Sequence, residues 1–113
     1  MSRRADTGAK RGLVGSAPVF AALGDATRLR LISSLCAGDR SIAELTSGTS
    51  ITRQAVTKHL QVLAGAGLVR DLRAGRERRW ELDPARLMDA RRSLELIERE
   101  WDVALAKLKR AVE

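Results

Sequence analysis

Apolar residues in this chain recur mostly at steps of three and four, the period of a helix, and short polar or glycine-bearing stretches interrupt them. Ser16 is placed to cap a first short helix, with Pro18 in its first turn, Phe20 and Leu23 on one face and Gly24 near its end. Asp25 then caps a second helix in which Leu29, Ile32 and Leu35 or Cys36 form the apolar stripe and Gly38 is the stop. Ser41-Ile-Ala-Glu44 has the spacing of a capping box, and the helix it opens is short because Ser47, Gly48 and Thr49 follow. Thr52 caps a longer helix from Arg53 to Ala64, ended by Gly65 and Gly67. From Leu68 the period becomes that of strands, Leu68 to Leu72 and Glu77 to Leu82, with Gly75 marking a hairpin turn. Asp83-Pro84 opens a last helix that runs to the C-terminus.

That last helix carries a sustained seam. Leu87, Ala90, Leu94, Ile97, Trp101, Ala104, Leu108 and Ala111 follow alternating steps of three and four, the a and d positions of a coiled coil, and Leu105 and Val112 widen the stripe. Such a face covers its own domain, a partner helix, or both. Trp101, at a seam position, is expected in a core or an interface rather than in a ligand pocket. Trp80 shares its strand parity with Leu82, so both are expected to anchor the hairpin to the helices. The expected architecture is mainly α with a small β-hairpin. Residues 1 to 12 read as a flexible basic tail able to graze a phosphate backbone, residues 13 to 113 as one domain, and about 84 to 113 as its C-terminal helix.

Charge narrows the partner. Among 113 residues, 21 Lys and Arg face 14 Asp and Glu, a net charge of +7 that points to a polyanion, with nucleic acid ahead of an anionic membrane surface. Phe20, Trp80 and Trp101 are the only aromatics, too few for a platform on which single-stranded bases stack, so duplex DNA fits better. One cysteine and one histidine exclude an internal disulfide and disfavour a His-based metal site or acid–base catalysis. Cys36 reads as a small buried hydrophobe, and no metal, cofactor or enzymatic activity is expected. No apolar run reaches the roughly 18 residues of a membrane span. Arg3, Arg4, Lys10 and Arg11 precede a fairly apolar stretch from Leu13 to Gly24, but Gly15, Ser16 and Pro18 interrupt it, which argues against a signal peptide and for the cytoplasm.

Two helices joined by a brief polar turn, 41 to 47 and 53 to 64, make a helix-turn-helix candidate. On the second, Val56, Leu60 and Leu63 share the core face, while Gln54, Lys58 and Gln61 point away, flanked by Arg53 and Thr57 and preceded by Thr52. These types suit the major groove: Arg and Lys donate to guanine, Gln pairs with adenine, and the Thr methyl meets that of thymine. His59 lies to the side, within reach of a phosphate. The same polar residues also solvate the outside of many helices, so the pattern alone is weak. It gains weight from the hairpin, whose Arg70, Arg73, Arg76, Arg78 and Arg79 can straddle the DNA backbone or enter the minor groove.

Ala22-Leu-Gly-Asp-Ala-Thr-Arg-Leu-Arg-Leu-Ile32, Ser41-Ile-Ala-Glu-Leu45 and Thr52-Arg-Gln-Ala-Val-Thr-Lys-His-Leu-Gln-Val-Leu-Ala-Gly-Ala-Gly-Leu-Val69 resemble the ArsR/SmtB winged helix-turn-helix repressors of bacteria. The resemblance spans roughly residues 17 to 113. It implies a recognition helix from Arg53 to Ala64, a wing at Arg73 to Arg79 that includes Arg76 and Arg78, and a homodimer through the first and last helices. The dimer surface would then use Phe20, Leu87, Leu94, Ile97, Trp101, Leu105 and Leu108. Metal-sensing members carry a Cys-x-Cys near the first helix-turn-helix segment or paired Asp and His ligands on the last helix. Glu44-Leu-Thr-Ser47 and the last helix lack these, so no metal or other inducer carries over. The function expected is a promoter-occluding, autoregulated repressor that binds an inverted-repeat DNA operator. The alternative is a protein-interaction module using the last helix.

Overall fold

The computed structural model describes residues 12–112, and the basic tail expected over residues 1 to 12 lies almost wholly outside them. The elements in chain order are α1 (Ala17–Leu23), α2 (Ala26–Leu35), β1 (Arg40–Ser41), α3 (Ile42–Ser47), α4 (Arg53–Gly65), β2 (Val69–Ala74), β3 (Glu77–Leu82) and α5 (Pro84–Val112). They follow the expected mainly helical plan with one addition. The two-residue β1 pairs with β3, placing Arg40 opposite Trp80, so the hairpin becomes a three-stranded antiparallel sheet in the order β1-β3-β2.

Local chemistry explains most of the boundaries. The Asp25 carboxylate accepts the Arg28 amide at 3.0 Å, and Thr52 Oγ1 accepts the Ala55 amide at 3.1 Å, each satisfying an N-terminal amide that has no partner within its helix. At α3 both halves of the capping box form: Ser41 Oγ accepts the Glu44 amide and Glu44 Oε1 accepts the Ser41 amide, at 3.1 and 3.2 Å. Asp83 Oδ1 accepts the Ala85 amide at 3.2 Å as α5 begins. Ser16 departs from expectation. Residues 12–15 are already helical, Ser16 itself has helical dihedrals, and its Oγ donates backward to the Gly12 carbonyl at 2.9 Å instead of capping forward.

The hydrogen bonds of the Ser41 amide and hydroxyl hold the Glu44 carboxyl below the ordinary glutamate range, aided by the nearby Arg79. A carboxylate whose folded-state value is depressed stabilises the fold above its unfolded value, and that stabilisation is lost as pH falls through the folded one. The gap in melting temperature between the protein and Glu44→Gln is therefore expected to narrow as pH falls from neutrality toward about 3. Thermal unfolding across that range checks it.

One core joins the elements. Val19 and Ala22 of α1, Leu31 and Leu35 of α2, Ile42 and Leu45 of α3, and Val56, Leu60 and Leu63 of α4 are buried together with Leu68, Val69, Trp80 and Ala90. Leu82 and Leu87 pack against this cluster, so Trp80 and Leu82 anchor the hairpin as expected. The stripe of α2 is rotated from the expected one: Leu31 and Leu35 are buried, Leu29 is exposed, and Cys36, the C-cap residue, is exposed rather than buried. Gly67, at φ +77°, turns the chain from α4 into β2, and a Cβ there would sit 2.7 Å from Arg86 Cγ.

The longest element is α5, whose 29 residues span about 43 Å. Its contact with its own domain runs through Leu87, Ala90 and Ser93. Ser93, which lies off the apolar seam, is buried: its small side chain satisfies itself on the Asp89 carbonyl and stands 3.9 Å from where a Cβ on Gly12 would lie. Leu94, Trp101, Leu105 and Leu108 are 53 to 64% exposed.

Candidate nucleic-acid interface

The rotation of α4 about its axis is set from the inside. Val56, Leu60 and Leu63 are completely buried, which turns Arg53, Gln54, Lys58 and Gln61 to solvent on the opposite face. These four and the half-buried Thr57 line one shallow, open depression, so five of the predicted groove-reading residues are brought together. Thr57 spends its hydroxyl proton on the Arg53 carbonyl at 2.9 Å, which leaves its methyl as the group it offers outward. Thr52 acts as the cap of the helix and does not line the depression.

The hairpin register sorts the arginines. Val69 pairs with Leu82 and Ala74 with Glu77, and the connecting Gly75 has φ +66°, the left-handed first loop position that a two-residue hairpin favours. Arg70 stands opposite Glu81 and is hydrogen-bonded to it. Arg78 Nε donates to Asp71 at 2.8 Å while its guanidinium lies 4.9 Å from the centroid of the Trp80 ring. Arg79 reaches Asp39 at 2.9 Å and both Glu44 and Glu77 at 3.3 Å, joining the hairpin to the β1 and α3 region. Hydrogen bonding to Glu81 raises the pKa of Arg70, and hydrogen bonding to Asp39 raises that of Arg79. Among the described residues no ion pair involves Arg53, Lys58, Arg73 or Arg76. Arg73 and Arg76 thus offer unneutralised charge at the hairpin end, whereas Arg70 and Arg79 serve the fold.

His59 is separated from this group. Its Nδ1 lies 3.2 Å from Arg28 Nη1 and 3.9 Å from Asp25 Oδ2, so the ring faces the corner between α1 and α2. Arg28 is the residue that sequence reasoning missed at this corner. Its only sequence signal is its place three residues after the cap Asp25, where a long basic side chain can fold back over the preceding helix.

Phe20 and Leu87 are half-buried against the core and Ile97 is partly exposed, while Leu94, Trp101, Leu105 and Leu108 stand open. Ile97 and Trp101 line a shallow groove with Glu100 and Ala104. Among the described residues, no three His, Cys, Asp or Glu side chains cluster to hold a metal ion, and no helix is long and apolar enough to cross a membrane.

Comparison with known proteins agrees with this geometry. Residues 25–71, from the α2 cap through the first residues of β2, match the family described as bacterial regulatory protein, arsR family. The chain is 39% identical over 84 residues to the HTH-type transcriptional regulator Rv2034 of Mycobacterium tuberculosis, covering 74% of this chain and 76% of that one. Its fold is similar to that of an ArsR-like transcriptional regulator from Rhodococcus sp. RHA1, with a TM-score of 0.77 and 40% identity over 88% of this chain and 94% of the other. It is also similar to the homodimeric winged helix-turn-helix DNA-binding domain Mb0332 of Mycobacterium bovis, a possible ArsR-family regulator, with a TM-score of 0.61, 25% identity and coverage of 93 and 90%.

Proposed function

Because the chain belongs to the ArsR family of bacterial DNA-binding transcriptional regulators, we propose that it is a homodimeric repressor that works in the cytoplasm by covering promoter DNA, its own included. The observation that carries this reading is the polar face of α4, held outward by three wholly buried apolar residues and continued by the unneutralised Arg73 and Arg76. Gln54, Lys58, Gln61 and Arg53 read base edges in the major groove, Thr57 offers its methyl to thymine, and Thr52 sits at the helix entrance beside the backbone. Arg73 and Arg76, with Arg78 in support, follow the adjacent minor groove. A dimer seated on both half-sites excludes other proteins from that stretch of duplex, and no enzymatic step is required.

The exposed α5 residues Leu94, Trp101, Leu105 and Leu108, with Phe20 and the edge of Leu87 and Ile97, supply the dimer surface. An apolar strip of this length is expected to be covered by a second copy, since a C2 axis lets one strip satisfy its own duplicate. The two α4 helices then face one side of the DNA, and the operator is an imperfect inverted repeat with half-sites about one helical turn, roughly 34–36 Å, apart or a multiple of it.

Selection of genomic fragments by the purified protein, followed by affinity measurement across a salt series, tests the reading. Gln54→Ala is expected to cost about 1–3 kcal/mol and to relax preference at particular base pairs. Arg76→Ala is expected to weaken all sequences alike and to lower the salt slope by about one unit. A selected-site base profile unaltered by Gln54→Ala would remove α4 from the role of reader. Affinity independent of salt would leave the alternative, a protein-interaction module built on α5.

A further inference from the structure

We propose that Arg28 is a positioning residue for DNA recognition: it ties the end of α1 to α4 and holds His59 as the Nε2–H tautomer, ready to donate to a backbone phosphate. The inference rests on α4 being the recognition helix and adds a residue outside that helix to its machinery.

The guanidinium is shared among three acceptors. Its Nε donates to the Ala22 carbonyl at 2.5 Å and its Nη2 to the Ala21 carbonyl at 3.4 Å, both in the last turn of α1, where the Ala21 carbonyl also accepts the Gly24 amide at 3.3 Å. Its Nη1 lies 3.2 Å from His59 Nδ1. An arginine has only donors, so this third contact is a hydrogen bond only when Nδ1 is the acceptor, which places the proton of the neutral ring on Nε2. A second group competes for Nδ1. Asp25 Oδ2 stands 3.9 Å away, beyond hydrogen-bond distance, and the same oxygen already accepts the Arg28 amide at 3.0 Å. Arg28 therefore wins the contest for Nδ1 on distance and on geometry.

The other ring nitrogen is left available. Among the described residues His59 Nε2 has no hydrogen-bond partner, yet it is not among the buried atoms that lack one, so it is open to solvent in a side chain 25% exposed. Next to Lys58 on the reading helix, an Nε2–H is a donor of the kind that fixes a protein's register on a phosphate backbone. With Arg28 removed, Asp25 becomes the only charged partner at the corner and draws the proton to Nδ1. Nε2 is then an acceptor, which faces a phosphate oxygen unfavourably. Arg28 thus acts through His59, without touching DNA itself.

His59 is the only histidine in the chain, so a single imidazole reports the result. Nitrogen-15 NMR of the free protein, above the pH at which the ring is protonated, is expected to show the proton on Nε2. Arg28→Met is expected to move it toward Nδ1 and to lower affinity for the selected operator about tenfold, the worth of one hydrogen bond to a charged group. His59→Ala should lose a similar factor, and His59→Gln, whose amide reaches the Nε2 position, should regain most of it. The double variant Arg28→Met with His59→Ala should bind no worse than His59→Ala. A wild-type ring protonated at Nδ1 overturns the proposal without any variant having to fold. Losses that multiply in the double variant overturn it too, by showing that Arg28 acts on the fold alone. A wild-type protein with the Nε2–H ring but no salt-dependent duplex binding overturns the reading of α4 instead, and the two failures are thereby told apart.

Discussion

Trp101→Glu is expected to turn a dimer into a monomer in sedimentation and to abolish operator binding at concentrations where the wild type saturates. Trp101 is 64% exposed on a helix that has left its own domain, and it lines a groove with Ile97 and Ala104. Large aromatics at the centre of an interface are the residues whose truncation costs about 2–4 kcal/mol, and two-fold symmetry counts each substitution twice. A penalty of about 4 kcal/mol or more weakens association roughly a thousandfold. The glutamates would also meet a partner surface already carrying Glu100 in the same groove. Each half-site would then be held by one reading helix alone, and the contribution of the second would vanish from the measured affinity. An unchanged sedimenting mass for Trp101→Glu would move the dimer surface off this part of α5.

Leu60→Ala is the second large effect, and it falls on stability. Leu60 is fully buried at the middle of α4, in a cluster that includes Val56, Leu63, Leu31 and Trp80. Loss of the side chain forfeits its transfer energy and leaves a cavity that the surrounding helices fill only in part, at a cost of about 2–5 kcal/mol. A domain of this size has only about 5–15 kcal/mol in total, so the urea midpoint should fall by a large fraction while the slope of the transition stays unchanged. A drop below about 1 kcal/mol would mean that α4 is not anchored through this residue.

Legibility in the sequence followed the range of the interaction. The caps at Asp25, Ser41 and Thr52 depend on a side chain and an amide three residues apart, and they stand where the spacing places them. The outward face of α4 was legible for a related reason: Val56, Leu60 and Leu63 leave only one side for Gln54, Lys58 and Gln61. The burial of Ser93 was not legible on α5, because hydrophobicity does not point to a serine, whereas close approach to residues 12–16 admits a side chain that small. Leu29 misled in the same way, since Leu31 and Leu35 are the residues of α2 that reach the core. Among the arginines, the Arg70–Glu81 pair could have been found by counting outward from Gly75, because the two stand directly opposite. The ties of Arg79 to Asp39 and of Arg28 to His59 join residues 40 and 31 positions apart, and no local rule reaches that far.

The mounting of α5 has a mechanical consequence. The helix is gripped by its own domain through Leu87, Ala90 and Ser93, and its remaining turns project beyond. Trp101 lies about 12 Å along the axis from Ser93, so a tilt of about ten degrees at that grip displaces it by roughly 2 Å. In a two-fold assembly joined through the projecting part, each protomer swings about the same pivot, and the distance between the two reading helices changes by a multiple of that displacement. DNA accepts its readers only at the repeat of the double helix, so a few degrees at Ala90 and Ser93 decide whether both heads reach their grooves together.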